Sequence, residues 1–182
     1  MIDPFAAVQE QTNLHRAEHD CGAYTYADGS LLGVVSAATG ARRIVEVGTA
    51  LGYTALWLAH GAPYATVDTI EMDVEHADLA NAAFRRHGLA DRIIVHNGAA
   101  EAVLPALGSE AYDVAFFDGF APTADVVSDL RRLLRPGGVL ITGNLTLAAD
   151  REVERELADS DRWLTHHFGE TALAVRRGKT PK

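Results

Sequence analysis

The sequence has few of the features that mark secreted, membrane or nucleic-acid-binding proteins. It has one cysteine, Cys21, among 182 residues, so it forms no internal disulfide, and this fits a reducing compartment. No run approaches the roughly 20 apolar residues of a membrane span. The N-terminal segment lacks a basic end followed by an apolar run, as a secretory signal would have. The net charge of −9 argues against a broad surface for nucleic acid. These absences predict a cytoplasmic protein without a membrane partner.

Strand-like and helix-like segments alternate along the chain. The strand-like segments are Arg42–Gly48, Ala65–Met72, Arg92–His96, Tyr112–Asp118 and Val139–Thr142. The helix-like segments between and after them are Tyr53–His60, Asp73–His87, Glu101–Leu107, Thr123–Leu134 and Ala148–Asp159. This alternation predicts an α/β fold, in which a doubly wound, mostly parallel sheet has helices on both faces.

The two ends of the chain complete the predicted domain. Trp163–Phe168 and Thr171–Arg177 are strand-like and only two residues apart, which is too close for a crossover, so they must form an antiparallel hairpin. Residues 1–41 are predicted to be a helical cover, with Ser30–Ala38 its most helical part, and residues 42–177 to be the core. Residues 178–182 are predicted to be a loose tail. One domain over residues 1–182 is expected.

The residues that follow the strands are the candidates for a ligand site, because open α/β sheets bind ligands at the carboxyl ends of their strands. Gly48 and Gly52 follow the first strand and allow a tight turn that a ligand can approach closely. Their spacing is neither that of dinucleotide enzymes nor that of a phosphate loop, which excludes a nicotinamide enzyme. Glu71 ends the second strand, where a carboxylate can accept hydrogen bonds from ribose hydroxyls.

The third and fourth strands end in residues that suit the same ligand site. Gly98, Ala99 and Ala100 leave room for a flat ring after the third strand. Asp118 ends the fourth strand, where a carboxylate can hold a metal, a cationic group or a substrate hydroxyl. Phe120 can stack on a ring. The four strand ends together predict one cleft.

Five segments together resemble a known family. They are Glu46-Val-Gly-Thr-x-x-Gly-Tyr-Thr54, Ile70-Glu-Met72, Gly98-Ala-Ala-Glu101, Tyr112-Asp-Val-x-Phe-Phe-Asp118 and Leu133-Leu-Arg-Pro-Gly-Gly138. Their order and spacing resemble the class I S-adenosylmethionine-dependent methyltransferases, and within them the catechol and caffeoyl-CoA O-methyltransferase group. The resemblance implies a Rossmann-like, seven-stranded sheet with a C-terminal hairpin, S-adenosylmethionine as cofactor, and O-methylation of a small molecule.

The resemblance also implies roles for individual residues. It places Glu46, Gly48 and Thr54 at the methionine part of the cofactor, Glu71 at the ribose, and Asp118 facing both cofactor and metal. The implied cofactor-binding residues are Tyr24, Glu46, Gly48, Thr49, Tyr53, Thr54, Glu71, Met72, Gly98, Ala99, Ala100, Asp118 and Phe120. Among them Tyr24 is a backbone contact, and Met72 and Phe120 pack on the adenine.

Two positions depart from the family pattern. Metal-dependent members have an Asp-Asn pair after the fifth strand, where this chain has Gly143-Asn144. A magnesium site would therefore have only Asp118 and Asn144 as ligands. Ala121 stands where the family has its catalytic lysine. Asp118 is thus the predicted catalytic residue. The alternative bases are two histidines of the N-terminal segment, His15 and His19, whose spacing would place them on one helix face and also suits a metal, although two such histidines are more often a solvated helix face.

Other functions stay open from the sequence alone. One is a tRNA-base methyltransferase of the same fold, with local basic patches at Arg85-Arg86 and Arg131-Arg132. Another is a non-catalytic S-adenosylmethionine-binding protein that acts through a partner, because the metal ligand and the lysine are both missing. The sequence also leaves open a homodimer.

Overall fold

A seven-stranded sheet forms the centre of the computed structural model, which describes residues 3–148 and 151–178. The strands are β1 (Arg43–Val47), β2 (Thr66–Glu71), β3 (Ile93–Asn97), β4 (Tyr112–Phe117), β5 (Leu134–Thr142), β6 (Trp163–Phe168) and β7 (Thr171–Arg176). Their order is β3-β2-β1-β4-β5-β7-β6. Strands β1 to β5 pair in parallel, and β7 is antiparallel to both β5 and β6. The predicted Rossmann-like sheet with its C-terminal hairpin is confirmed.

Helices cover both faces of this sheet. They are α1 (Ala6–His19), α2 (Gly29–Ala38), α3 (Tyr53–Gly61), α4 (Val74–Arg86), α5 (Ala100–Val103), α6 (Ala124–Leu133) and α7 (Glu152–Ala158). One core contains Leu32 of α2, Leu56 of α3 and Phe84 of α4. The opposite core contains Leu130 of α6 and Trp163 of β6. Two separate cores are expected, because successive residues of each central strand point to opposite faces. Within the described ranges no helix is long and apolar enough to cross a membrane.

The N-terminal helices pack closely on α3. Phe5, just before α1, contacts Trp57 of α3 edge to face, with 5.4 Å between the ring centroids. Helices α2 and α3 touch through glycines: a Cβ at Gly61 would lie 2.0 Å from the carbonyl oxygen of Gly33. The described part of the N-terminal segment thus contains α1 and α2, and the stretch Ser30–Ala38 lies within α2.

Three predicted boundaries were wrong. Strand β5 begins at Leu134 rather than Val139, because Leu134 pairs with Tyr112 before an irregularity in the register. The helix predicted over Glu101–Leu107 is α5 followed by a 3-10 turn at Leu104–Ala106. Helix α7 begins at Glu152, and part of the helix predicted from Ala148, residues 149–150, lies outside the described residues. So does the predicted tail beyond residue 178.

Candidate functional site

A cavity of about 1450 Å³ opens where β1, β2, β3 and β4 end. Besides the strand ends, two other segments line it. Residues 21–28 between α1 and α2 form one wall, except for Ala23, and residues 168–171 at the tip of the β6–β7 hairpin form another. Strand order reverses beside β1, so the cavity lies where open α/β sheets bind their ligands.

The turn after β1 brings two loops into backbone contact. Gly48 has a φ of +94°, a region that side chains strongly disfavour. A Cβ there would lie 2.7 Å from the carbonyl oxygen of Asp118. The N–H of Gly48 donates to Ile70 at 3.0 Å and that of Asp118 to Val47 at 2.8 Å. Only glycine therefore lets the β1 and β4 loops meet at the cavity floor.

Glu71 presents a fixed carboxylate to the cavity. It is 8% exposed and accepts the backbone N–H groups of Ala50 at 2.8 Å and Asp73 at 2.9 Å. Each bond engages a different carboxylate oxygen, so both oxygens keep lone pairs for a further donor. A ribose with two hydroxyls matches these free acceptor positions.

Glu46 lies behind this wall with no exposed surface. The Thr69 hydroxyl donates to its Oε2 at 2.5 Å, and the Thr49 hydroxyl lies 2.6 Å from that of Thr69. The Thr54 hydroxyl lies near this carboxyl group and opposes the effect of burial on its pKa, but Oε1 has no well-formed hydrogen bond among the described residues. Burial is the main cause that raises the pKa of Glu46 to about 8. An unpartnered buried acceptor suits a donor or cation that arrives with a ligand.

Asp118 is a half-buried acid at the mouth of β4. Burial, and then the nearby charge of Glu170, raise its pKa to about 7. The Asn144 amide nitrogen lies 3.5 Å from Asp118 Oδ1 and donates to the carbonyl of Gly119 at 2.8 Å. A carboxyl group with this pKa can exchange a proton at neutral pH.

The same edge fits a magnesium-type ion poorly. Such ions need six or more oxygen ligands in a regular arrangement. A Cβ at position 143 would lie 3.4 Å from Asp118 Oδ1, but Gly143 has no side chain and so offers no oxygen ligand there. Asn144 turns its nitrogen, not its oxygen, towards Asp118. Asp118 and Asn144 therefore do not make up for the metal ligand that is absent at Gly143.

The far end of the cavity offers flat apolar faces. Met72 is 77% exposed and Phe120 is 83% exposed, although both are apolar, and both line the cavity. Gly98 and Ala99 also line the cavity and put no large side chain into it. A planar ring system fits this end.

The structure brings most of the predicted site residues together. Nine of them line the cavity: Tyr24, Gly48, Glu71, Met72, Gly98, Ala99, Ala100, Asp118 and Phe120. Four others, Glu46, Thr49, Tyr53 and Thr54, lie buried behind the wall. The Tyr53 hydroxyl donates to Asp3 at 2.7 Å, so that side chain is directed away from the cavity. The alternative bases His15 and His19 stack on each other, 4.3 Å between ring centroids, and neither lines the cavity.

Two cavity residues carried no signal in the sequence. The Tyr26 hydroxyl lies 3.2 Å from the Thr171 hydroxyl at the hairpin tip, and burial raises the pKa of Tyr26. Glu170 is the other residue, and its negative charge at that tip helps to raise the pKa of Asp118. The tip reaches the cavity because β7 lies antiparallel beside β5. A predicted hairpin with its place in the strand order could have indicated these residues.

Comparisons with known sequences agree with this geometry. The sequence pattern of a family described as a methyltransferase domain matches residues 45–145. A relative from Mycolicibacterium vanbaalenii, whose name assigns it provisionally to the O-methyltransferases, is 37% identical over 158 residues, 78% of this chain and 70% of the relative. A catechol O-methyltransferase from Mycobacterium tuberculosis is 35% identical over 136 residues, 72% of this chain and 61% of that protein.

Two solved structures are similar over nearly the whole chain. An O-methyltransferase from Bacillus cereus in complex with S-adenosylhomocysteine has a TM-score of 0.79 and 26% identity, covering 94% of this chain and 91% of that one. The O-methyltransferase TomG from Streptomyces achromogenes, involved in tomaymycin synthesis and solved with S-adenosylmethionine, has a TM-score of 0.80 and 26% identity, covering 94% and 90%.

Proposed function

This chain belongs to the methyltransferase domain family as an S-adenosylmethionine-dependent O-methyltransferase, and from that premise we propose which residues bind the donor and which one takes the proton. The proposal treats residues 1–182 as one methyltransferase domain. The observation that carries it is the convergence of Gly48, Glu71 and Asp118 on one cavity. We assign the acceptor to the class of small molecules with a hydroxyl group.

The donor fits the residues along the β1, β2 and β3 ends. Glu71 would accept the two ribose hydroxyls, because its carboxylate is already oriented by two backbone N–H groups. The turn at Gly48 would lie against the methionine part, with the Glu46 carboxyl behind it. Met72 and Phe120 would pack on the adenine. Each assignment uses a group that the structure leaves accessible or unpartnered.

Asp118 is the proposed general base. When bound, S-adenosylmethionine supplies a methyl group on a sulfonium sulfur, and that sulfur keeps the bonding electron pair as the acceptor oxygen takes the methyl. The hydroxyl proton would pass to Asp118, which is half ionised near pH 7 because its pKa is raised to about 7. A base whose pKa lies near the working pH is the most effective. The cavity adds the alignment of acceptor and donor, which can contribute several kcal/mol.

No step of the proposed mechanism uses magnesium. The proposal leaves it out because the remaining pair supplies only the Asp118 carboxylate, with the Asn144 nitrogen turned towards it. Ala121 lines the cavity at the position of the family's lysine and has no group that can take a proton. The base role is therefore assigned to Asp118.

Titration calorimetry with S-adenosylhomocysteine tests the donor assignment. We expect binding by the full chain, and at least a tenfold weaker affinity in Glu71→Gln, because a charge-assisted hydrogen bond to ribose contributes about 1.5–3 kcal/mol. Glu75→Gln is the matched control, since Glu75 is an exposed glutamate in the first turn of α4. No binding at tens of micromolar protein would remove the donor assignment. Catechol-type hydroxyls then serve as acceptor probes.

The remaining sequence alternatives gain little support. A tRNA substrate would need exposed basic patches. Arg85 and Arg86 are exposed, but the guanidinium of Arg132 is bonded to the carbonyls of Leu104 and Leu107 and to the Ser109 hydroxyl. Retention on bulk tRNA that falls with salt would favour it nonetheless. A cytoplasmic location and a homodimer stay predictions, the second to be checked by light scattering.

A further inference from the structure

Three metal-ligand side chains meet beside the cavity, outside the proposed catalytic group. His15 lies on α1, Cys21 follows the end of that helix, and His76 lies in the first turn of α4. Their ligand atoms all lie within 4.8 Å of one another. The rings of His15 and His76 are 5.2 Å apart and nearly perpendicular. Residues some sixty positions apart in sequence are thus gathered at one point.

His76 is the most buried member of this cluster. It is 7% exposed, and neither of its ring nitrogens makes a hydrogen bond to any residue the structure describes. The nearest carboxylate oxygen, Glu71 Oε1, is 3.9 Å from Nδ1, which is too far for a hydrogen bond. The ring nitrogens are not sealed in the core but open to the cavity that His76 lines, so an ion can reach them. One ring nitrogen of His76 lies within 4.8 Å of the Cys21 sulfur.

We propose that His15, Cys21 and His76 bind one zinc ion. Two imidazoles and one thiolate are a donor set that suits zinc and not magnesium or calcium, which prefer oxygen. Three protein ligands leave a fourth position open, as in catalytic zinc sites. Because Cys21 and His76 also line the cavity, that fourth position opens towards it. This inference is independent of the proposed methyl transfer.

The ligands need only small movements to form the site. Zinc–nitrogen bonds of about 2.1 Å and a zinc–sulfur bond of about 2.3 Å bring the ligand atoms to about 3.5 Å from one another. The present spacing of at most 4.8 Å closes by side-chain rotation. Binding converts the Cys21 thiol to a thiolate and releases its proton to solvent.

A zinc ion here would connect α1 to α4. Helix α1 already contacts α4 through Arg86, whose guanidinium donates to Gln11 at 3.1 Å. It also contacts the segment after it through Asn13, which accepts the Thr25 hydroxyl at 3.3 Å. Both contacts are exposed and weak. The ion would therefore fix the N-terminal wall of the cavity, and we expect thermal unfolding of the full chain to shift upward when zinc is added.

Zinc titration of the chelator-treated full chain tests the site. We expect one zinc per chain, at least tenfold weaker binding in Cys21→Ser and in His15→Gln, and no change in His166→Gln, which alters an exposed histidine of β6. Cobalt(II) gives a second readout: a sulfur-to-cobalt charge-transfer band in the wild type that is lost in Cys21→Ser. Calorimetry in two buffers of different ionisation enthalpy should show release of about one proton.

Two results would overturn the zinc site. One is no binding of zinc at tens of micromolar protein, and the other is equal affinity in the wild type, Cys21→Ser and His15→Gln. His15→Gln is included because His15 is only half-buried, so this variant keeps its fold where a change at His76 could unfold it. Binding of S-adenosylhomocysteine to the zinc-free chain is measured separately. A failure of the methyl-transfer proposal therefore leaves the zinc result unaffected.

Discussion

Asp118 gives the sharpest prediction, because its proposed role depends on a titration that can be followed. With a pKa of about 7, half of the side chains are ionised at pH 7 and about one in ten at pH 6. We expect kcat/KM to rise about tenfold per pH unit below pH 7 and to level off above about pH 8. Asp118→Asn should lower kcat/KM by about 10²- to 10⁴-fold, the usual contribution of a general base.

Glu170 offers a second perturbation of the same titration. Its charge is one of the causes that raise the pKa of Asp118, although burial is the larger. Glu170→Gln should therefore move the midpoint of the pH–rate profile to lower pH without abolishing turnover. Glu154→Gln is the control, because it removes the same charge from the exposed side of α7.

The assay is formation of S-adenosylhomocysteine between pH 5 and pH 9, with the catechol-type acceptor that gives the highest turnover. Circular dichroism of each variant checks that it is folded. The reasoning fails if the profile is flat across pH 6–8, or if Asp118→Asn retains wild-type kcat/KM. An unchanged midpoint in Glu170→Gln would refute only the electrostatic part of the argument.

Three further predictions concern stability and the missing metal ligand. The pKa of Glu46 rises from 4.5 to about 8 on folding. The free energy of unfolding should therefore fall by up to about 5 kcal/mol as pH rises through that window. Urea unfolding of Glu46→Gln should show no such dependence of stability on pH. Gly61→Ala places a Cβ 2.0 Å from a carbonyl of α2 and should cost about 1–3 kcal/mol or more, whereas Gly108→Ala, with its nearest neighbour at 3.7 Å, should not. Gly143→Asp should raise the midpoint of the pH–rate profile, because it adds a second carboxylate whose Cβ would lie 3.4 Å from Asp118 Oδ1. Millimolar magnesium should reverse the shift.

Much of the fold could be predicted from the sequence because local signals agree with it. Asp73 caps α4 by accepting the N–H groups of Glu75 and His76, as its position before a helical segment indicated. The boundaries that were wrong depend on distant partners. Strand β5 begins early only because Leu134 finds Tyr112 across the sheet, a pairing that no local pattern contains.

The site could be predicted where one rule of the fold determines it. Glu71, Gly98 and Asp118 come together because parallel strands end at one edge. Glu46 lies deeper in the molecule, because it still belongs to β1 and its side chain is buried below the strand ends that line the cavity. The zinc ligands His15 and His76 could not be paired from sequence, because only the packing of α1 against α4 brings them together. Sequence spacing predicted His15 and His19 on one helix face, and their stacked rings confirm this.

The environment of Asp118 connects the two departures from the family pattern. A lysine at position 121 and a metal ion beside position 143 would both place positive charge near this carboxyl group and lower its pKa. The chain has Ala121 and Gly143 instead, and the nearby charge that remains is the negative charge of Glu170. Burial is then unopposed, and the pKa of Asp118 rises to about 7. On the proposed assignment, the absence of the family's lysine and of its second metal aspartate is what makes Asp118 a proton acceptor near neutral pH.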